Sequence, residues 1–125
     1  MTRLAALLLP LTLAACAAAP MAEAGGGSAA RCDVTIKFAS YGGGIDQDLS
    51  TRVSATVKAD RDIAHSEREP WGREGEYDLC LTAKPGRDAR ALYERYRAML
   101  PAKNLKAPTS IEGPNGLRFE TIGPM

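Results

Sequence analysis

Residues 32–39 alternate. Cys32, Val34, Ile36 and Phe38 fall on one face and Asp33, Thr35 and Lys37 on the other, the period of a half-buried strand. Three glycines in residues 40–44 break the pattern, and Asp46 stands where an N-cap would start a helix bearing Leu49, Val53 and Val57 at every fourth position and ending near Ala59. Residues 62–69 and 76–83 read as two strands joined by a loop with two glycines. The first is weakly patterned, as an edge strand would be, and the second puts Tyr77, Leu79 and Leu81 on one face. Pro85 and Gly86 open a second helix, in which Ala89, Leu92, Tyr93, Tyr96, Met99 and Leu100 form one apolar stripe before Pro101 stops it. An irregular stretch follows, and Pro114-Asn115-Gly116 then turns the chain into a last strand over 117–122.

The order strand, helix, strand, strand, helix, strand predicts an α+β domain: a ferredoxin-like βαββαβ sandwich, with a four-stranded antiparallel sheet and two helices on one face. In that arrangement the first and third strands are central antiparallel neighbours.

Ahead of the domain, Arg3 and the apolar run from Leu4 to Leu13 precede Ala14, Ala15 and Cys16, which has the layout of an export leader. Leu13-Ala14-Ala15-Cys16 resembles the lipobox of bacterial lipoproteins. That resemblance implies cleavage just before Cys16, a diacylglycerol on its sulfur and acylation of the new amino group. Residues 1–15 would then be a signal peptide, and Cys16 a lipid anchor holding the chain to a membrane of the cell envelope on its periplasmic face. Ala17 after the cysteine, where aspartate would retain an enterobacterial lipoprotein at the inner membrane, leans toward the outer membrane. Two other readings of the leader stand beside this one, an ordinary secretory signal and an uncleaved membrane helix. With Ala17–Ala19 the apolar stretch approaches the roughly 20 residues that span a bilayer, but Pro10, Pro20 and the many alanines argue against a span.

Cleavage at Cys16 removes Arg3 from the 16 basic residues and leaves 15 against 15 acidic ones. A chain so balanced has no basic excess with which to release counterions, which excludes nucleic acid as a partner. Apart from Cys16, Met21, Glu23 and Arg31, residues 16–31 are all Ala, Gly, Ser and Pro, a flexible tether reaching on the order of 20 Å. Residues 32–125 remain for a single small domain, near the size at which a core alone is marginal.

With Cys16 committed to lipid and the leader placing the chain in an oxidising compartment, Cys32 and Cys80 are expected to form a disulfide. Two cysteines 48 positions apart and a single histidine do not make a zinc spacing. One conflict attaches to the bridge: alternation puts Cys32 on the apolar face, while Cys80 shares a face with Asp78 and Thr82. Either Cys32 precedes regular pairing, or a bulge shifts the register.

Candidate chemistry is sparse, and no metal or cofactor pattern appears. Gly42-Gly43-Gly44 before a helix suggests a phosphate cradle, but the spacing fits no nucleotide motif and Asp46 and Asp48 would repel an anion there. His65 and Ser66 are neighbours on a strand and point to opposite faces, so they cannot pair as base and nucleophile. Arg87, Arg90, Arg95 and Arg97 are interleaved with Asp88 and Glu94, and Arg90–Glu94 is an i, i+4 pair, which reads as a solvated helix face. Trp71, beside Arg73 at the tip of a charged hairpin, is either folded back over the sheet or offered to a partner, as aromatics at binding hot spots are. The expected role is a binding or structural module with an envelope protein as partner and Trp71 and Arg73 as contacts. The alternative is a small envelope hydrolase using His65 and carboxylates among Asp60, Asp62, Glu67, Glu69, Glu74 and Glu76.

The anchor is testable directly. Cys16→Ser should leave the precursor uncleaved and without acyl chains when the envelope protein is weighed by mass spectrometry. A cleaved species starting elsewhere, with no acyl mass, would show an ordinary secretory signal instead.

Overall fold

The computed structural model describes residues 32–125; the leader, Cys16 and the tether lie outside the described residues. The elements in order are β1 (Val34–Phe38), α1 (Gln47–Ala59), β2 (Ile63–Pro70), β3 (Tyr77–Ala83), α2 (Ala89–Arg97), β4 (Thr109–Glu112) and β5 (Arg118–Glu120). They build an α+β domain around one five-stranded sheet of order β2-β3-β1-β4-β5, antiparallel at every pairing. Among the described residues no helix is long and apolar enough to cross a membrane.

The alternation in β1 buries Val34, Ile36 and Phe38 completely. β3 sets Leu81, Leu79 and Tyr77 opposite them, and β4 brings Ile111 beside Ile36. Leu49, Val53 and Val57 of α1 and Leu92, Tyr93 and Tyr96 of α2 complete the same core, each large side chain worth about 1.5–3 kcal/mol once out of water. The Phe38 and Tyr77 rings stack at 4.8 Å. Tyr77 keeps its polar end satisfied inside this packing through a 2.6 Å hydrogen bond between its hydroxyl and that of Ser50 on α1.

Both helices start on aspartate caps. Asp46 accepts from the Leu49 N–H and Asp88 from the Arg90 N–H, each satisfying an amide with no partner inside its helix. α2 therefore begins at Ala89 and not at Pro85-Gly86. Residues 84–87 form a turn closed by the Arg87 N–H on the Lys84 carbonyl, with Gly86 at φ +80°, and the helix ends at Arg97, after which Met99 and Leu100 bond three residues back.

The four-stranded expectation is corrected to five. Thr109–Glu112, within a stretch the sequence pattern left irregular, pairs with β1, and the last strand, Arg118–Glu120, joins β4 at the sheet edge. β4 escapes the periodic reading because it is four residues long with Ile111 as its one large apolar side chain.

Cys32 and Cys80 are joined, with Cα atoms 5.1 Å apart. The face conflict is resolved by the first alternative. β1 and β3 pair in unbroken register with Thr35 opposite Cys80, and the chain bends at Asp33. The Asp33 N–H donates to the Leu81 carbonyl and its carboxylate accepts from the Ala83 N–H. That bend lifts Cys32 out of the ladder and over the helix-free face, where Cys80 lies. The sheet's irregularity falls elsewhere, between Ile63 and His65 of β2.

Replacing the bridge by Cys32→Ala/Cys80→Ala should lower the unfolding free energy by roughly 4 kcal/mol, the chain-entropy value for a sequence separation of 48. Urea unfolding of the parent and the double variant measures it.

Candidate functional site

β1 runs from the disulfide toward a cluster of irregular segments: the 40–44 loop, the β2–β3 turn, residues 101–108 and the C-terminal residues. Hydrogen bonds within and between these segments hold them there. The Ser40 hydroxyl accepts from the N–H groups of Gly42 and Gly44 and donates to the Glu74 carboxylate of the β2–β3 turn. Asp46 accepts from Asn104 Nδ2 at 2.9 Å, and Asn104 Oδ1 in turn accepts from the N–H groups of Lys106 and Ala107. Asn104 N–H reaches the Ile122 carbonyl and Ile122 N–H the Ala102 carbonyl, so the C-terminal residues are tied to the same place. Burial works against the Asp46 charge, but the Leu49 amide, Asn104 and the cations Lys106 and Arg52 outweigh it and hold its carboxyl below the usual range.

Among the described residues, the large hydrophobic side chains that remain exposed are Tyr41, Trp71, Leu105, Ile122 and Met125. Every one lies on these segments, at the end of the sheet remote from the start of β1, and none on a helix or within β1–β5. Trp71 is 58% exposed. Its main-chain N–H donates to the Glu76 carbonyl and its Nε1 to Asp78 Oδ1 at 2.8 Å. The indole is thus neither in the core nor loose; its rim is pinned and a large part of its surface faces water. Arg73 stands exposed two residues on, in the same turn.

The opposite end carries a cluster that sequence reasoning missed. Asp60, just past α1, accepts from the Asp62 N–H, from Arg95 Nη1 at 2.6 Å and from the Tyr96 hydroxyl at 2.8 Å. Arg95 also reaches Asp62 at 2.9 Å, and Arg87 approaches Asp62 at 3.3 Å. Burial alone would raise the Asp60 carboxyl; the bonds from Asp62, Arg95 and Tyr96 more than offset it and hold the group ionised, below its ordinary value. Burial together with the Asp60 charge pushes the Tyr96 phenol up. A carboxylate whose acceptor positions are filled by three donors is a clamp between the α1–β2 turn and α2, and is poorly placed to exchange protons with a substrate. Arg87, Arg90, Glu94 and Arg95 are exposed, as a solvated face would be, but Arg95 and Arg87 also take carboxylate partners here, Arg97 lies 3.6 Å over the Phe119 ring, and the expected Arg90–Glu94 ion pair is not formed. One signal in the sequence pointed this way, an arginine next to a stripe tyrosine in the last turn of α2.

His65 sits on edge strand β2, largely exposed, with Nε2 3.8 Å from Glu67. Ser66 pairs opposite Leu81 and His65 opposite Thr82, so the two do point to opposite faces. The candidate carboxylates are dispersed: Asp60 and Asp62 in the clamp, Glu67 and Glu69 on the helix-free face, Glu74 and Glu76 in the β2–β3 turn. Among the described residues no group of three or more His, Cys, Asp or Glu could hold a metal ion. The Gly42–Gly44 loop is bound to its own Ser40, and Asp46 occupies the helix terminus beyond it.

No family model, curated protein or solved structure matches this chain. The functional reading therefore rests on the geometry.

The clamp makes a pH prediction. The folded-state pKa of Asp60 lies below its unfolded value, about 3.9, so its contribution is complete above the unfolded value and is lost as pH falls through the folded one. Asp60→Asn should cost about 2 kcal/mol at pH 7, a charge-assisted hydrogen-bond value kept modest because Arg95 is half solvated. Urea unfolding at pH 7 and pH 3 should show the gap between parent and variant narrowing in acid. A gap equal at both pH values would mean that the Asp60 charge contributes nothing.

Proposed function

We propose that this chain is a lipid-anchored lipoprotein of the bacterial cell envelope, facing the periplasm at the outer membrane, whose domain is a binding or structural module that contacts an envelope protein through the Trp71–Arg73 turn. One observation carries the reading of the domain: its exposed large apolar side chains lie at one end of the sheet, and the chain comes in through Cys32 at the start of β1, toward the other. A tether from Cys16 would hold that second end and leave the apolar end free to meet a partner. Isolated surface hydrophobics are ordinary, but their gathering in one region marks an interaction surface.

The lipobox resemblance at Leu13–Cys16 supplies the anchor and the location. For the fold we propose a ferredoxin-like unit made of β1, α1, β2, β3, α2 and β4 with β5 added at its edge. What supports this is the strand order β2-β3-β1-β4 and the shared core of the two helices.

The experiment is site-specific photo-crosslinking in intact envelopes. A photoreactive residue at Arg73 should give a discrete protein adduct, and the same residue at Arg90 on α2 should give none. Trp71→Ala should weaken that adduct by about 2 kcal/mol or more in apparent affinity and hardly move the melting temperature, because the indole is already 58% exposed. Equal adducts from Arg73 and Arg90 would overturn the contact. A catalytic turnover abolished by His65→Ala and untouched by Trp71→Ala would overturn the binding-module reading altogether.

A further inference from the structure

β2 departs from its neighbours on the side that faces the helices. Where β3 presents Leu81, Leu79 and Tyr77, the paired positions of β2 are Ser66, Arg68 and Pro70. α1 passes above with Ser54 and Lys58, and the short serine leaves a half-enclosed groove of about 250 Å³ between the helix and the strand, floored by Tyr77 and Leu79. The Arg68 guanidinium lies 3.6 Å over the Tyr77 ring, so its charge is held at the groove wall by stacking. Neither Lys58 nor Arg68 has an ion-pair partner among the described residues. The groove lies beside an eight-residue strand that, among the described residues, is paired on one side only.

These features belong together. An edge strand offers main-chain donors and acceptors to a further strand, and a strand added there sends alternate side chains to each face of the sheet. On the helix side they would meet Lys58, Arg68 and the hydroxyls of Ser54 and Ser66. On the other face they would meet Glu67 and Glu69. The first surface attracts acidic side chains, and the second, where His65 lies 3.8 Å from Glu67, offers them no comparable pair of cations. We propose that β2 accepts an extended peptide segment as a sixth strand, with acidic residues at every second position lodged in the Lys58–Arg68 groove. A second copy of this chain is the poorer occupant, because β2 against β2 would bring Arg68 and Ser66 of one copy against the same residues of the other, two cationic surfaces with no acid between them. A bare anion would use the two cations and leave the strand edge unused. An inward arginine on an edge strand can also serve only to prevent edge-to-edge association, and the experiment separates that role.

The probe is a fluorescein-labelled eight-residue peptide alternating Glu and Val, titrated by anisotropy against the full chain in detergent. Saturable binding is expected, weakened at least tenfold by Arg68→Ala and by Lys58→Ala, that is, by about 1.4 kcal/mol or more. Binding should also weaken when Glu and Val are segregated into two blocks, and be abolished by N-methylation of alternate peptide amides, which removes main-chain donors and leaves the acids in place. Inorganic phosphate that displaces the peptide at equal concentration, or an N-methylated peptide that binds as well as the parent, would reduce the groove to a simple anion site and overturn the proposal. So would the absence of binding to the parent chain. So would Arg68→Ala causing self-association with peptide affinity unchanged, which would make Arg68 an edge guard.

Discussion

Everything in this domain is arranged around the need to keep one face of β1 dry. Val34, Ile36 and Phe38 are fully buried, and a strand of five residues cannot achieve that alone. β3 and β4 flank it, and α1 and α2 cover it. Among the described residues the opposite face of the sheet has no helix, and it carries polar side chains such as Thr35, Lys37, Asp78 and Glu112. In so small a chain a single apolar layer has to supply most of the stabilisation. Tyr77 enters it with its polar tip satisfied by the Ser50 hydroxyl, whereas the Thr109 hydroxyl is buried there without a partner among the described residues.

Long periodic elements were legible for this reason. β1, α1 and β3 contribute runs of inward apolar residues, and their positions follow directly from spacing. The weak patterning of β2 also carried its meaning, since its inward positions are polar and it lies at an edge. β4 was not legible, because Thr109 and Ile111 are too few to show a period and the strand forms only where β1 offers it a partner. Helix α2 was read three to four residues too long at its start, where Asp88, not Pro85, is the cap. The pairing of Cys32 with Cys80 was readable from the cysteine count and the export that the leader's resemblance implies, but the bend at Asp33 that permits it was not. It depends on the Ala83 amide, 50 positions away.

The candidate surfaces divide the same way. Trp71 was conspicuous as the chain's one tryptophan, and its place in a turn follows from the glycines around it. That Tyr41, Leu105 and Ile122 share its end of the sheet depends on Asp46 capturing Asn104 and on Asn104 capturing Ile122, contacts between residues 18 to 58 positions apart. The Asp60–Arg95 clamp and the Lys58–Arg68 groove are likewise products of the α1–β2 and α1–α2 packing. Neither shows in a periodic pattern, because each needs residues of separate elements brought side by side.

The disulfide has a mechanical consequence. Tension arriving along the chain at Cys32 passes across the sulfur bridge to Cys80, in the middle of β3, so residues 33–79 form a closed loop. A load applied at Trp71 needs to travel only through residues 72–76 of the turn and the first half of β3 before it reaches Cys80 and leaves through Cys32. β1, α1 and all of β2 lie on the long, slack side of that loop. The bridge thus offers a covalent path between Cys32 and Trp71 that bypasses the backbone of the central strand.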